Sequence, residues 1–278
     1  MIIDTHIHIF PPEIVNDRAR FFVNEPEFEM LYNNPKARLA TITDVITMLP
    51  MQKVDKAVLC GFPWRSENFY KMHNDYLAQA QAQNKDQFVA LGAFHSGTCG
   101  ATKEALRCIK LGLGGLGELA FYQETLNSVM LERLTPIMAL CAEANLPVLL
   151  HANEPIGHAY HGKAVAEISH YYNFCKKFCQ NKIILAHWGG GLIFYLLLQR
   201  EVRETLQNVW FDTAALPYLY TDNVYEICNL IGYEHILFGS DFPLLKPLRY
   251  IDTILASNIS AEAKNSILGI NAKNLFNF

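Results

Sequence analysis

No two of the seven cysteines are spaced as CxxC, and their number is odd. That pattern argues against a disulfide scaffold and fits reduced, mostly buried thiols in a cytosolic protein. Cys175 and Cys179, four apart on an expected helix, are the one spacing suited to a metal pair, and CxxxC alone is a weak signal. A basic excess is also missing, with 23 Lys and Arg against 27 Asp and Glu and a net charge of −4. Nothing in the overall charge favours non-specific binding to phosphates, so no nucleic-acid partner is expected. The apolar run "GLIFYLLLQ" (191–199) falls well short of the roughly 20 residues that span a bilayer and reads as a buried helix. The first residues show no basic segment followed by a continuous apolar stretch. Neither a membrane partner nor a secretory leader is expected, and the expected compartment is the cytoplasm.

What is abundant is apolar sequence in short blocks. Hydrophobic residues make up 51% of the chain, enough for a sizeable core, and the length suits one domain over 1–278. Eight runs read as strands: 2–9, 56–62, 88–94, 114–120, 146–152, 182–188, 209–214 and 235–241. Several are apolar on both faces, as parallel strands covered by helices are. Helical patterns fall between them at 67–84, 102–111, 129–145, 163–178, 191–206 and 223–232, with Pro136 expected to kink the third or mark its start. Residues 11–40, with Pro11, Pro12, Pro26 and Pro35, break the rhythm and read as an inserted loop after the first strand, a lid. Residues 261–276 read as extra C-terminal helices packed outside a barrel. Eight strands alternating with helices over about 250 residues give an α/β fold, a (β/α)8 TIM barrel. The rival is a doubly wound open sheet, but "GLGGLGE" (112–118) lacks the G-x-G-x-x-G spacing of a dinucleotide fingerprint.

The informative feature is where polar residues interrupt the apolar strands. "MIIDTHIHIF" carries His6 and His8 at i and i+2, hence on one strand face, with Asp4 deeper on the same face. Two imidazoles projecting together form a chelate for a divalent ion. Glu118 sits in a Gly-rich apolar strand, where a carboxylate is costly unless paired or metal-bound. His151 ends "PVLLH", His187 ends "IILAH", and Asp241 lies in "ILFGSDFP". Singly, each is a weak signal with a plain structural alternative: a satisfied core histidine for the imidazoles, a salt bridge for Glu118 and a cap or turn residue for Asp241. Jointly, they fall at strand C-termini, which converge on one mouth in a barrel.

The stretches "DTHIH", "GLGELAF", "VLLHANE", "IILAHWGGG", "LFGSDFPLL" and "GINAKNLF" resemble the amidohydrolase superfamily of metal-dependent TIM barrels. The nearest likeness is to the amidohydrolase-related branch that includes aminocarboxymuconate-semialdehyde decarboxylase; the chain is also similar to TatD-like metal-dependent hydrolases. The resemblance runs from residue 2 to 276. It implies that His6, His8, His151 and Asp241 are metal ligands, and that His187 is a general acid/base or a ligand of a second ion. It also implies that Glu118, at a position where this branch's decarboxylases lack an acid, bridges two ions or completes a second site. The expected reaction is metal-assisted hydrolysis of an amide, ester or lactone bearing a carboxylate. Asp241 orients the water and takes its proton, and His187 polarises the carbonyl. Non-oxidative decarboxylation is the alternative. The metal is expected to be zinc, one ion or two, although manganese, iron and cobalt suit the same donors. Trp64, Arg65, Tyr122 and His158 are the expected substrate contacts, with Arg65 reading equally as a clamp on a carboxylate or as a surface salt bridge. The partner is a small-molecule substrate, and the resemblance is compatible with a homodimer.

Overall fold

The computed structural model describes all residues, Met1–Phe278. All eight expected strands form: β1 (Ile3–His8), β2 (Lys56–Cys60), β3 (Phe88–Gly92), β4 (Gly115–Leu119), β5 (Val148–Leu150), β6 (Ile183–Leu185), β7 (Val209–Asp212) and β8 (Ile236–Leu237). They pair in sequence order, every pair parallel. The chain just beyond β8 then closes the ring onto β1. Thr5 N–H donates to the Phe238 carbonyl at 2.8 Å, Asp241 N–H to His6 at 2.9 Å and His8 N–H to Phe242 at 2.8 Å. The result is a (β/α)8 barrel, not an open sheet.

Two apolar layers hold it. A cluster of 63 buried residues lies largely between strands and helices. A cluster of 11 takes Ile3, Val58, Leu91, Leu149, Ile184 and Leu237 from six strands. Ala272, Leu275 and Phe276 join this smaller cluster. The terminal segment therefore reaches under the barrel and packs against strand residues at its closed end.

The helices at Glu67–Gln83, Ala101–Lys110 and Ser128–Glu143 stand close to where the apolar periodicity puts them. Pro136 lies inside the last, which continues through it as one helix. The expected helix at 191–206 does not form. Residues Trp188–Gly191 all adopt positive φ, 58° to 96°, and the chain runs in 3-10 turns to Leu197 before a short helix at Arg200–Thr205. Three successive glycines make that left-handed path accessible, and an amphipathic helix cannot propagate through it. Consequently only Leu192 and Ile193 of the apolar run are buried, while Leu197 and Leu198 are about half exposed. No helix is long and apolar enough to cross a membrane.

Residues 11–40 contain short helices at Pro12–Asn16 and Pro26–Tyr32, both with Pro near the N-terminus, where its missing N–H costs nothing. Phe28 packs on Trp64 (centroids 4.4 Å) and Phe62 (5.2 Å), and Phe10 on Tyr32 (5.4 Å). This aromatic layer seats the segment over the loop that follows β2. Both Cys175 and Cys179 are free, the first buried and the second partly so.

Candidate metal centre

Six of the residues expected at the mouth come together as two facing triads, His6–His8–Asp241 and Glu118–His151–His187. The resemblance would group His151 with His6 and His8; the structure places it beside Glu118 and His187. Glu118 spans the two groups. Its Oε2 lies 3.8 Å from His6 Nε2 and 3.6 Å from His8 Nε2. Its Oε1 lies 3.0 Å from His151 Nδ1 and 3.8 Å from His187 Nε2. Asp241 Oδ1 is 3.9 Å from His6 Nε2 and 3.6 Å from His8 Nε2.

Each imidazole is tied down on the side away from the centre. His6 Nδ1 donates to Asp212 Oδ2 (2.8 Å), His8 Nδ1 to the Gly61 carbonyl (3.2 Å) and His187 Nδ1 to the Ala214 carbonyl (2.9 Å). His151 is reversed, its Nε2 donating to the Gly162 carbonyl (3.0 Å). Because a carbonyl only accepts, these bonds fix the tautomers. The remaining ring nitrogens then point lone pairs inward: His6 and His8 Nε2 sit 3.0 Å apart, and His187 Nε2 sits 3.3 Å from His151 Nδ1. Lone pairs facing one another and two carboxylates repel unless a cation or a proton lies between them. Donors bound to one ion at roughly 2.0–2.2 Å would stand about 3–3.5 Å apart, near the spacings seen. The donor set thus fits divalent metal, with room for one ion in each triad and Glu118 across both.

Without an ion, protons fill that role. Burial alone would lower His6, but Asp212, Glu118 and Asp241 outweigh it and lift the imidazole to about 10. Burial likewise opposes the charge on Glu118, yet His151, His6 and His8 hold it well below the usual carboxylate range. His151 is raised against its own desolvation by Glu118, whereas burial and then the His6 charge lower His8.

The local backbone explains how these side chains arrive. Gly117 has φ 141°, and a Cβ there would stand 2.6 Å from Leu149 Cβ and 2.7 Å from its carbonyl. Only glycine lets β4 pass β5 so closely while turning Glu118 inward. Gly117→Ala is expected to cost about 1–3 kcal/mol, from overpacking and strain, and to lower metal content; thermal unfolding and elemental analysis read both. His187 and Asp241 themselves sit at φ 57° and 60°, unusual for non-glycine residues and typical of functional sites.

Asp212 was not anticipated. Its Oδ1 accepts the His187 N–H (2.9 Å) and Ala214 N–H (3.0 Å) while Oδ2 orients His6. One buried carboxylate therefore holds both a ligand ring and the left-handed turn carrying another. Its signal was present in "VWFDTA", an acid closing an apolar strand as the six site residues do. Asp212→Asn is expected to weaken metal binding about 10- to 100-fold, measurable by competition with a chelator.

The centre opens into a cavity of about 670 Å³. Tyr122 and His158 both line it, and the Tyr122 ring lies 4.9 Å from that of His151. Trp64 and Arg65 do not line it, which corrects the expected substrate clamp. Trp64 is fully buried, its Nε1 donating to His73 Nδ1 (2.8 Å). Arg65 makes a two-pronged bond with Glu27, its Nε at 2.8 Å, while Glu25 accepts the N–H groups of Arg65 (2.8 Å) and Ser66 (2.7 Å). These acids sit within residues 11–40, so Arg65 fastens that segment down. Its roof reaches the centre: Tyr32 lines the cavity, and burial, then Asp241 and Glu118, push its phenol up.

A metal-ligating mouth on a (β/α)8 barrel defines the class of metal-dependent barrel enzymes. The Amidohydrolase family model matches residues 3–278, and the chain belongs to that family. Its barrel is an enzyme of the amidohydrolase superfamily, as the sequence resemblance implied. Among curated proteins nothing matches. Similar solved structures include 5-carboxyvanillate decarboxylase from Sphingomonas paucimobilis, at TM-score 0.78 and 18% identity over 100% of this chain and 99% of that one. Another is 2,6-dihydroxybenzoate decarboxylase from Rhizobium, at TM-score 0.74 and 19% identity over 99% and 98%. A third is a dihydroxybenzoic acid decarboxylase from Polaromonas sp. JS666 with bound manganese and the inhibitor 2-nitroresorcinol, at TM-score 0.73 and 19% identity over 99% and 96%.

Proposed function

We propose that the protein is a metal-dependent hydrolase acting on a small organic acid derivative, an amide, ester or lactone. The observation that carries this reading is Glu118, whose two oxygens face separate triads and so suit a pair of ions. His6, His8 and Asp241 would hold one ion and His151 and His187 the other. Divalent ions there supply a Lewis acid and make a coordinated water acidic near neutral pH. The protein's own part is positional. Asp241, which lines the cavity, would accept the proton of the attacking water and deliver it to the leaving group. Tyr122 and Tyr32 wall the substrate and restrict water.

Decarboxylation is the second reading, and the three named neighbours favour it over hydrolysis. Here a single ion suffices, and His187 Nε2, freed from ligation, hands a proton to the carbon that loses carbon dioxide. Manganese in one neighbour makes that ion as fitting a choice as zinc.

The test offers zinc- or manganese-loaded protein a panel of carboxylated amides, esters and lactones beside hydroxylated aromatic acids. Incorporation of 18O from labelled water, with about two ions per chain, supports hydrolysis. Release of carbon dioxide with one ion per chain overturns it in favour of the lyase.

A further inference from the structure

With Arg65 committed to Glu27, the cavity has other cations. Lys36 and Arg38 both line it, and both are exposed at its mouth. Two other lysine and arginine side chains of the neighbouring loops are occupied: Lys163 pairs with Glu154 (3.1 Å), and Arg18 is turned onto the backbone. Glu118 and Asp241, the acids of the cavity, belong to the metal centre.

The strand of loop bearing these two cations is not slack. Arg18 Nη1 donates to the carbonyls of Ala37 (2.6 Å), Tyr32 (3.4 Å) and Asn34 (3.5 Å), gathering residues 32–37 around one guanidinium. Lys36 N–H donates to Asn34 Oδ1 (2.9 Å), closing the turn from inside. At the far end Phe10 N–H bonds the Ala40 carbonyl (2.7 Å), and Ile42 N–H bonds the Tyr76 hydroxyl (2.9 Å). The strap forms a wall: a second, outer depression of about 780 Å³ shares Leu31, Lys36, Ala37 and His161 with the cavity. Two like charges held on one short wall repel each other, and an anion between them removes that repulsion.

We propose that Lys36 and Arg38 form an anion subsite at the mouth, selecting substrates that carry a carboxylate remote from the reacting atom, with Arg18 as the residue that positions the strap. This rests on the metal-dependent reading above but on neither reaction in particular. A ligand with two carboxylates should engage the metal centre with one and the strap with the other.

The test titrates zinc-loaded protein by calorimetry with benzoate, benzene-1,3-dicarboxylate and benzene-1,4-dicarboxylate. At least one dicarboxylate is expected to bind tenfold or more tightly than benzoate, and raising salt should shrink the difference. Lys36→Met combined with Arg38→Met should abolish the advantage and leave benzoate affinity and the unfolding temperature unchanged. Equal binding of all three acids by the unaltered protein, absence of binding, or an advantage that survives in the double variant overturns the subsite. Turnover of any panel substrate alongside such a failure would leave the catalytic reading standing, because metal content and product identity judge that reading separately.

Discussion

Glu118→Gln is expected to lower turnover by roughly 10²–10³-fold, the scale seen when one charge-stabilising group is removed from an active site, and to take metal content from about two ions per chain to about one. The amide keeps the size of the side chain but loses the charge that two facing triads share. Its NH2 also presents a donor to one of the two triads, where an acceptor is needed. His151 would lose the partner that raises it, and the second ion a third of its donors. Under the decarboxylase reading the same variant keeps its single ion and loses less activity. Elemental analysis beside steady-state kinetics therefore decides what Glu118 does.

The second large effect follows from removing metal. His6 is lifted to about 10 in the folded, ion-free protein, above its ordinary value near 6.5. A group raised in this way adds stability fully present below about 6.5 and lost as pH climbs towards 10. The metal-free protein is thus expected to melt at progressively lower temperature from pH 7 to 10, while the loaded protein, whose ion replaces that proton, stays nearly level. Conversely, loading must expel the proton, so metal affinity should rise about tenfold per pH unit across the same range for each proton released. Thermal scans with and without chelator, and metal competition at three pH values, read both. A flat profile for the metal-free protein would remove His6 as the site's proton holder.

Much of this arrangement is legible in the amino-acid sequence. Parallel strands buried on both faces leave unbroken apolar blocks, and a polar residue at the end of such a block is conspicuous. That is how His6, His8, Glu118, His151, His187 and Asp241 stood out. Asp212 emitted the same signal without being singled out, because its work is to hold other residues. Lys36, Arg38 and Arg65 were illegible for a different reason. Which cation in a loop meets the cavity depends on where that loop folds back, and Glu27 captured the one whose sequence position looked right. The 191–206 segment differs because its composition from Leu192 onward is helical, while the three glycines of its entry, "HWGGG", admit a left-handed path that no helix can propagate through.

The seam between His6–His8 and Asp241–Phe242 joins the first strand to the last. An ion held by His6, His8 and Asp241 would therefore cross-link points more than 230 residues apart in a chain of 278. Such an ion binds the folded chain and leaves the unfolded one, so the clasp stabilises the fold by its binding free energy, more so as free metal rises. A protein whose cysteines are all free would then have its two ends fastened by its own reaction centre, and chelation would loosen the barrel along the edge where the chain begins and ends.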